Sequence, residues 1–519
     1  MSKCLASPAH REGQPHQQQQ PELAHAERHH LAIVESAGEP STSRKRLTLA
    51  VTRRPLPSGE AEEGSLRPAP ESLLGVDVGS AFTKAALFEL IDGQYRLVAR
   101  GQARTTTETH VYGGLEKACG EIEALTGRQL FAGGEPLAGE VSGGRGVEVL
   151  AVSLSCYPPV RVLAASPEAA TAARAERCLV QVLGPGPLHE RVRHAAANTW
   201  DAVAGSDVEL QLAMLYLGAP AGAGSAAIAG DGDAIRAALS DLAIKLAHEQ
   251  VSGLADLAAA ATEPLSTAPA ALLQLAQLVA TRFGLRLAIA DCGASQTTVA
   301  YATPEQGGAR LTLYERPLLD VPATANEMRA MHQVLQGALG SCVAEGFTAD
   351  LVVGAGALAR FGRWSEPALT LLNGIQPAGV IQFALDSAGV LSQIATLAKA
   401  LPDIACRIFE QDGLVGLGAA VCPRGTVKAG SKALEVRWRV DEEPEEHRDV
   451  NFGELVRISL SPGHKANLAL YPVKQIDVGL TRPGVAATAH IDGGRVGLMV
   501  DAREASAKGE RQPWEESLA

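Results

Sequence analysis

Two short segments of the sequence combine an acidic residue, a glycine turn and hydroxyl side chains in the same order. The first, DVGSAFTK, runs from Asp77 to Lys84, and the second, DCGASQTT, begins at Asp291. Each follows one apolar run and precedes another, which is typical of a hairpin between two strands. A glycine allows the backbone to approach a phosphate closely, while hydroxyls and a lysine supply donors to its oxygens. The pattern indicates a pair of phosphate-binding hairpins.

A third glycine turn, GAG, follows a later apolar strand and completes the candidate site. Asp77 and Asp291 could hold Mg²⁺ through its water shell, as carboxylates do beside nucleotide phosphates. A single Asp-x-Gly is a weak signal, and two structural hairpins without a ligand are the alternative. The predicted phosphate- and nucleotide-binding residues are Asp77, Gly79, Ser80, Thr83, Lys84, Asp291, Gly293, Ser295, Thr297, Thr298, Gly354 and Gly356.

These segments resemble the motifs of a known superfamily. DVGSAFTKAAL, DCGASQTTVA and VVGAGALAR are similar to the phosphate-1, phosphate-2 and adenosine motifs of the actin-like ATPases. The resemblance implies an α/β fold class, with two RNase H-like domains that close on ATP and Mg²⁺. It also implies that Gly354 and Gly356 pack on the adenosine, although the superfamily usually has GG where this chain has GAG.

A narrower resemblance spans about residues 73–503. SCYPPVRVLAASPEAATAA, LLNGIQPAGVIQFALD and GGRVGLMVDARE, in this order, are similar to the glutamate mutase accessory proteins of the MutL/GlmL type. That family is unrelated to the mismatch-repair protein called MutL. Its members are thought to protect or reactivate adenosylcobalamin-dependent carbon-skeleton mutases. The resemblance implies an ATP-binding, chaperone-like reactivase whose partners are the mutase subunits, with cobalamin carried only by that partner.

Two other functions fit the same motifs. A pseudo-ATPase scaffold would keep the nucleotide site without turnover, and the altered GAG turn is compatible with it. A small-molecule kinase would need a carboxylate to accept a substrate hydroxyl proton, and Asp231 and Asp386 are candidates without a supporting motif. The connecting-segment carboxylate or glutamine of the superfamily is represented only by guesses, Glu249 and Gln250. Catalytic residues are therefore unassigned, and weak ATPase activity is an open expectation.

Composition argues against several classes of protein. The 519 residues include 46 Lys and Arg against 58 Asp and Glu, a formal net charge of −12. Because nucleic-acid binding needs a basic surface, a nucleic-acid partner is not expected. The uncharged run 212–230 is broken by glycine and proline, so it does not predict a membrane span. No apolar signal segment is recognised and the 8 cysteines contain no CxxC pair, which favours a cytoplasmic protein with reduced thiols.

Apolar periodicity divides the chain into five segments. The first segment is polar and histidine-rich, with HQQQQ and His29-His30, and metal binding or one short helix at 25–36 are alternatives to a solvated tail. Helices are predicted at 113–130, 168–178, 233–249 and 269–282. The predicted segments are a disordered tail at 1–70, actin-like domain I at 71–205, actin-like domain II at 206–430, a β-rich domain at 431–503 and a flexible tail at 504–519.

Overall fold

The computed structural model of the chain contains two α/β lobes, each built on a mixed sheet, and a β-rich domain. A short strand, β1 (Arg46–Thr48), belongs to the β-rich domain. Most of the predicted N-terminal tail, including the helix at 25–36, and the predicted C-terminal tail lie outside the described residues. The structure describes residues 46–48, 69–106, 109–139, 143–157, 160–175, 178–182, 201–205, 226–294, 296–304, 309–315, 325–343 and 347–504.

The sheet of the first lobe has five strands. A central strand pairs antiparallel with the next strand of the chain on one side and parallel with a later strand on the other. Its spatial order is β12-β7-β2-β3-β4. The strands are β2 (Ser72–Val78), β3 (Phe82–Ile91), β4 (Gln94–Arg104), β7 (Val149–Leu154) and β12 (Ser266–Thr267).

The sheet of the second lobe repeats this arrangement and extends it. Its first four strands pair as an antiparallel hairpin, a third antiparallel strand and a parallel neighbour, as in the first lobe. Its spatial order is β15-β14-β13-β16-β17-β18-β24-β21. The strands are β13 (Leu287–Cys292), β14 (Gln296–Ala302), β15 (Ala309–Glu315), β16 (Leu351–Gly356), β17 (Gly379–Leu385), β18 (Val415–Cys422), β21 (Leu455–Ile458) and β24 (Gly497–Asp501).

Between β7 and β12 the first lobe contains an inserted α/β unit. Its four strands are all parallel, in the order β11-β10-β8-β9. Before β7, a two-stranded hairpin is formed by β5 (Phe131–Ala132) and β6 (Glu135–Pro136). The inserted strands are β8 (Arg161–Ala164), β9 (Leu179–Val182), β10 (Ala202–Gly205) and β11 (Ala226–Ala229).

The β-rich domain is a twisted five-stranded sheet joined to the second lobe. Its order is β1-β23-β22-β19-β20, while β21 and β24 leave it and pair into the second-lobe sheet. One apolar core holds residues of both sheets, including Ala419 and Val421 of β18. The other strands are β19 (Lys432–Val440), β20 (Glu446–Asn451), β22 (Lys465–Pro472) and β23 (Ala487–Asp492).

Helices cover the sheets and fill the space between the lobes. None of the helices in the described part of the chain is long and apolar enough to cross a membrane. The helices are α1 (Val111–Thr126), α2 (Pro167–Ala175), α3 (Gly232–Gln250), α4 (Leu254–Ala260), α5 (Ala268–Phe283), α6 (Ala325–Cys342), α7 (Ser365–Ile375), α8 (Leu391–Leu397) and α9 (Pro402–Gln411), with a 3₁₀ turn at Ala357–Arg360.

Capping residues explain where helix α1 ends and where helix α5 begins and ends. The predicted helix at 113–130 stops earlier, as α1, because Gly127 adopts a left-handed φ of 73° and caps it. Helix α5 begins where the Thr267 hydroxyl accepts a hydrogen bond from the Ala270 N–H, and it ends at Gly284, also left-handed. Each boundary therefore follows from a capping residue.

Helices α5, α8 and α9 lie between the two sheets and form one shared core with them. Helix α8 comes from the second lobe but packs on β2 of the first. This contact depends on Gly75, because a Cβ there would lie 2.6 Å from the Gln393 carbonyl oxygen. The predicted α/β fold class, with two domains on similar mixed sheets and a small β domain, is confirmed.

The expected boundary at 205/206 falls inside the inserted unit. Strand β10 ends at residue 205 and pairs with β11, and the chain then returns to the first-lobe sheet as β12. The insert has the same alternation of strands and helices that would begin a new lobe. Only the strand pairing distinguishes an insertion from a new lobe. The sequence pattern therefore could not locate the end of the first lobe.

Substitution of Gly75 by alanine tests the seating of α8 on β2. We expect the free energy of unfolding to fall by about 1–3 kcal/mol in urea, because the added methyl group overlaps backbone that cannot move without displacing the helix. Gly120→Ala in α1 is the matched control, since a Cβ at Gly120 meets nothing within 4 Å. The control should gain up to ~1 kcal/mol from helix propensity. Equal stability of Gly75→Ala and the unmodified chain would contradict this packing.

Candidate functional site

The first predicted hairpin places a carboxylate and an ammonium side by side. Asp77 in β2 is the direct cross-strand partner of Lys84 in β3, so their Cβ atoms are about 5 Å apart. The turn between them closes with a 3.0 Å hydrogen bond from the Gly79 N–H to the Phe82 carbonyl oxygen. A Cβ at Gly79 would lie 2.5 Å from that oxygen, so the turn needs glycine.

The second hairpin places Asp291 in the equivalent position of the second lobe. Asp291 lies between Thr298 of β14 and Ala355 of β16 in the strand register. Gly356, the last residue of the GAG turn, has a left-handed φ of 68°. A Cβ there would lie 2.6 Å from Asp291 Oδ1 and 2.3 Å from the Cys292 carbonyl oxygen. The glycine therefore makes room for the Asp291 carboxylate.

Both hairpins line one cavity of about 470 Å³ between the lobes. This volume is within the ordinary range for a small-molecule site. Residues from α5 and from the loop after β17 complete its wall. The predicted residues that line this cleft are Asp77, Gly79, Ser80, Lys84, Asp291, Gly293, Thr298 and Gly356.

Three predicted residues in the described part of the chain are not part of this lining. Thr83 is fully buried, with its hydroxyl oxygen 3.1 Å from that of Thr105. Thr297 is also buried and does not line the cleft, since neighbours on a strand point to opposite faces. A Cβ at Gly354 would contact three leucine side chains at 3.0–3.3 Å, so this glycine serves packing. Ser295 lies outside the described residues.

Asp77 is buried and Asp291 is half-buried, and the charge of Asp291 acts on Asp77. Burial raises the pKa of Asp77, the positive charge of Lys84 opposes this rise, and the charge of Asp291 adds to it. Hydrogen bonds from the hydroxyls of Ser392 and Ser153 stabilise the Asp77 carboxylate, the latter at 3.3 Å. Burial raises the pKa of Asp291 as well, again opposed by Lys84. A cation placed at these carboxylates would favour their ionised forms.

A third buried carboxylate, Asp386, follows β17 and caps α8. Its two oxygens accept hydrogen bonds from the backbone N–H groups of Val390 and Leu391, at 3.0 and 2.9 Å. Burial raises the pKa of Asp386 to about 6, against the opposing effect of these hydrogen bonds and of Lys84. Because both oxygens are engaged, Asp386 is poorly placed to act as the general base of a kinase.

The other acidic or amide candidates lie away from the cleft. Asp231 caps α3 by accepting a hydrogen bond from the Ala234 N–H at 2.9 Å. Glu249 and Gln250 are exposed residues at the end of the same helix, and neither lines the cleft. Asp231, Glu249 and Gln250 therefore do not lie at the hairpins.

Three arginines and two glutamines that the motifs did not indicate also line the cleft. Arg100, Gln102 and Arg104 alternate along β4 on the face that carries Lys84 on β3, and Arg360 follows the GAG turn. Polar and small residues alternate in ARGQAR, which is visible in the sequence. The alternation indicates a cleft-lining face only when β4 is known to pair with β3 of the first hairpin. The second glutamine, Gln296, begins β14.

One aromatic side chain of the first hairpin joins the two lobes across the cleft. The guanidinium carbon of Arg104 lies 4.8 Å from the centre of the Phe82 ring, and that of Arg360 lies 5.4 Å from it. Arg104 belongs to the first lobe and Arg360 to the second. The Arg360 contact is a cation–π interaction that favours approach of the lobes.

The donor set suits Mg²⁺ better than a metal held entirely by protein. No group of three or more His, Cys, Asp or Glu side chains that could hold a metal occurs in the described ranges. Mg²⁺ typically uses one or two carboxylates and fills its shell with water and phosphate oxygens. Asp77 and Asp291 are such a pair, so the residues present fit the ion.

The raised pKa of Asp386 makes stability depend on pH. Between the ordinary carboxyl pKa of 3.8 and about 6, the folded chain binds more protons here than the unfolded chain does. Stability contributed by the protonated group is therefore lost as the pH rises through this interval. Relative to Asp386→Asn, the unmodified chain should lose about 2–3 kcal/mol of unfolding free energy between about pH 4 and pH 7.

Urea unfolding of both proteins without nucleotide, over this pH range, measures the difference. Asp403→Asn, at an exposed carboxylate of α9, is the control for the removal of one charge. A difference for Asp386→Asn that does not change with pH would show that burial does not raise the pKa of Asp386.

Several solved structures are similar to this chain at low identity. A Ppx/GppA phosphatase from Aquifex aeolicus shares 10% identity over 64% of this chain and 80% of its own, with a TM-score of 0.22. The ethanolamine utilization protein EutJ from Carboxydothermus hydrogenoformans shares 11% over 66% and 91%, with a TM-score of 0.27. An inorganic polyphosphate/ATP-glucomannokinase from Arthrobacter sp. strain KM shares 14% over 65% and 99%, with a TM-score of 0.24. TM-scores this low carry no argument about the fold, which the strand order defines.

At the level of sequence, one family model matches the chain. No curated protein matches it. The family described as MutL protein matches residues 73–182, which include the first hairpin, β4 and the start of the inserted unit. The predicted resemblance to this family is thereby confirmed over residues 73–182.

Proposed function

We propose that the chain binds ATP with Mg²⁺ between its lobes and acts as an accessory protein that reactivates an adenosylcobalamin-dependent carbon-skeleton mutase. The observation that carries the nucleotide site is the convergence of Asp77 and Asp291 on one cavity. They come from equivalent strands of two equivalent hairpins, and Lys84 is within electrostatic reach of both.

The charges of the cleft support a polyphosphate ligand. Lys84, Arg100, Arg104 and Arg360 line it, against the carboxylates of the two hairpin aspartates. Guanidinium groups bind phosphate oxygens with charge-assisted hydrogen bonds, often in pairs. The aspartates would hold the hydrated Mg²⁺ that accompanies the phosphates. The cationic side chains would thus bind the phosphates, and the two carboxylates would bind the metal.

The accessory role is supported by the family match and by the positions of the two carboxylates that were candidates for a kinase base. The match to MutL proteins covers the first hairpin, and the resemblance stated for the whole chain is to glutamate mutase accessory proteins. Asp231 and Asp386, the two carboxylates considered for a kinase, both cap helices. A protein substrate is therefore favoured over a small one.

The β-rich domain is the natural docking module for the mutase. It shares a core with the end of the second-lobe sheet, and β21 and β24 connect the two. Closure of the lobes on nucleotide would therefore carry this domain along with the second lobe. A ligand that prefers the closed state would shift the position of a bound partner relative to the first lobe.

Calorimetry of Mg²⁺ and ATP binding tests the site. Single substitutions change either a carboxylate that would hold the metal or the lysine that would bind phosphate. Asp77→Asn and Asp291→Asn should abolish the difference between binding with and without Mg²⁺, because the metal loses a ligand. Lys84→Met should weaken binding about 10-fold or more under both conditions, because a charged hydrogen bond to phosphate is lost.

Asp403→Asn, at an exposed carboxylate outside the cleft, should bind as the unmodified chain does. Absence of ATP binding by the unmodified chain would refute the nucleotide site. An unchanged Mg²⁺ dependence in both aspartate variants would place the metal elsewhere.

Reactivation is tested with purified glutamate mutase that has lost activity during turnover. We expect the chain with Mg²⁺ and ATP to restore mutase activity, and Lys84→Met to restore much less at the same ATP concentration. Recovery of mutase activity is the measurement. No recovery and no complex with the mutase on gel filtration would contradict the accessory role. Equal recovery without nucleotide and with an Asp77→Ala/Asp291→Ala double variant would instead favour the pseudo-ATPase scaffold.

A further inference from the structure

A second cavity lies where the β-rich domain meets the helices between the lobes. It has a volume of about 230 Å³. Phe283 of α5 and Phe409 of α9 line one part of its wall, and Ala384 of β17 lines another. Lys465 of β22 and Gly493, which follows β23, complete the wall from the β-rich domain. In the described part of the chain, none of the residues that line this cavity also lines the nucleotide cleft, so the two are separate.

Two small residues of neighbouring strands leave this space open. Ala384 of β17 and Gly416 of β18 are direct cross-strand partners, so they lie on the same face of the second-lobe sheet. Ala384 belongs to the core that this face shares with α5, α8 and α9. Among the described atoms, a Cβ at Gly416 would meet only the Gly493 carbonyl oxygen, at 3.8 Å, and the φ of Gly416 is not left-handed. Neither crowding nor backbone conformation therefore requires glycine at this position.

Most of the wall is apolar. The amide of Gln382 is the one uncharged polar side chain that lines this cavity in the described part of the chain, and it bonds to the backbone of Asp492. It therefore offers little to a bound molecule. The large apolar side chains of the lining are Val279, Phe283, Leu285, Leu351, Phe409 and Leu414.

The charged residues of the lining do not favour an anionic ligand. The ammonium of Lys465 lies 3.6 Å from the carboxylate of Asp492, and the imidazole of His464 lies 2.7 Å from that of Asp441. Both basic side chains are thus already beside carboxylates. Glu410 of α9, which also lines the cavity, adds a further negative charge. An uncharged ligand avoids both the repulsion and the loss of hydration that a buried anion would meet.

The size of the cavity narrows the class of ligand. An engineered apolar cavity of about 150 Å³ holds one benzene molecule, and this cavity is larger. Protein interiors leave few voids larger than a water molecule, and apolar pockets at domain interfaces are common ligand sites. We propose that this cavity binds a small, uncharged molecule built on one aromatic ring or on two fused rings. Such a molecule would contact both the interlobe helices and the β-rich domain.

Calorimetry with toluene, using the full chain, tests this site. We expect toluene to bind and to raise the Tm, because it binds the folded state. Benzoate, which has the same ring and a negative charge, should bind at least about 10-fold more weakly, since an apolar wall does not solvate a carboxylate. Saturating Mg²⁺ and ATP should leave toluene binding unchanged, because the two cavities are separate.

Gly416→Leu fills the cavity and should weaken toluene binding at least about 10-fold, while the Tm without toluene is kept or raised. Gly337→Leu is the matched control, at an exposed position of α6 where a Cβ meets nothing within 4 Å. It should bind toluene as the unmodified chain does. If Gly416→Leu folds poorly, Leu414→Trp, at a partly buried lining residue, occupies the same space and should give the same loss.

Three results would overturn this proposal. They are absence of toluene binding by the unmodified chain, equal binding by a folded cavity-filling variant, and binding of benzoate as tight as that of toluene. Displacement of toluene by Mg²⁺ and ATP would place the probe in the nucleotide cleft and would overturn it as well. The proposal does not rest on the nucleotide site, so its failure would leave the proposed function standing.

Discussion

The cleft depends on two carboxylates, buried Asp77 and half-buried Asp291, held near each other with one ammonium to oppose them. Burial raises the pKa of both Asp77 and Asp291, and the negative charge of Asp291 raises that of Asp77 further. Like charges in a low-dielectric site are stable only when a cation or hydrogen bonds compensate them. Lys84 supplies part of this compensation, and the hydroxyls of Ser153 and Ser392 supply another part. A divalent cation with its phosphates would complete this compensation.

The rest of the fold serves to bring those carboxylates together. Each lies in the first strand of its own hairpin. The two sheets must therefore approach each other at equivalent strands. Helices α5, α8 and α9 fill the space between the sheets and set that approach, and Gly75 lets α8 lie directly on β2. Phe82 then connects the lobes through Arg104 on one side and Arg360 on the other. Any change in the spacing of the sheets would therefore alter both the packing of α8 and the electrostatics of the cleft.

The same geometry gives the distant β-rich domain a way to respond to the cleft. Its core continues into β18, and β18 lies beside β17, which is followed by Asp386. The Asp386 carboxylate caps α8, so one short connection joins the sheet, the helix between the lobes and the neighbourhood of Lys84. These contacts form a continuous path from the cleft to the β-rich domain.

The sequence by itself determined the two hairpins, the GAG turn and four helices, because these depend on residue order within a few positions of the chain. It also predicted the resemblance to MutL proteins that the family match bears out over residues 73–182. It could place Asp77 and Asp291 at strand ends, since apolar runs and glycine turns are local signals. It could not show that Thr83, Thr297 and Gly354 do not line the cleft, because the face on which a side chain lies follows from the register with other strands. Nor could it indicate Arg100, Arg104, Arg360 and Gln296, whose neighbours are distant in sequence. The boundary of the first lobe was decided by the pairing of β10, β11 and β12, since only hydrogen bonds between distant segments distinguish an insertion from a new domain.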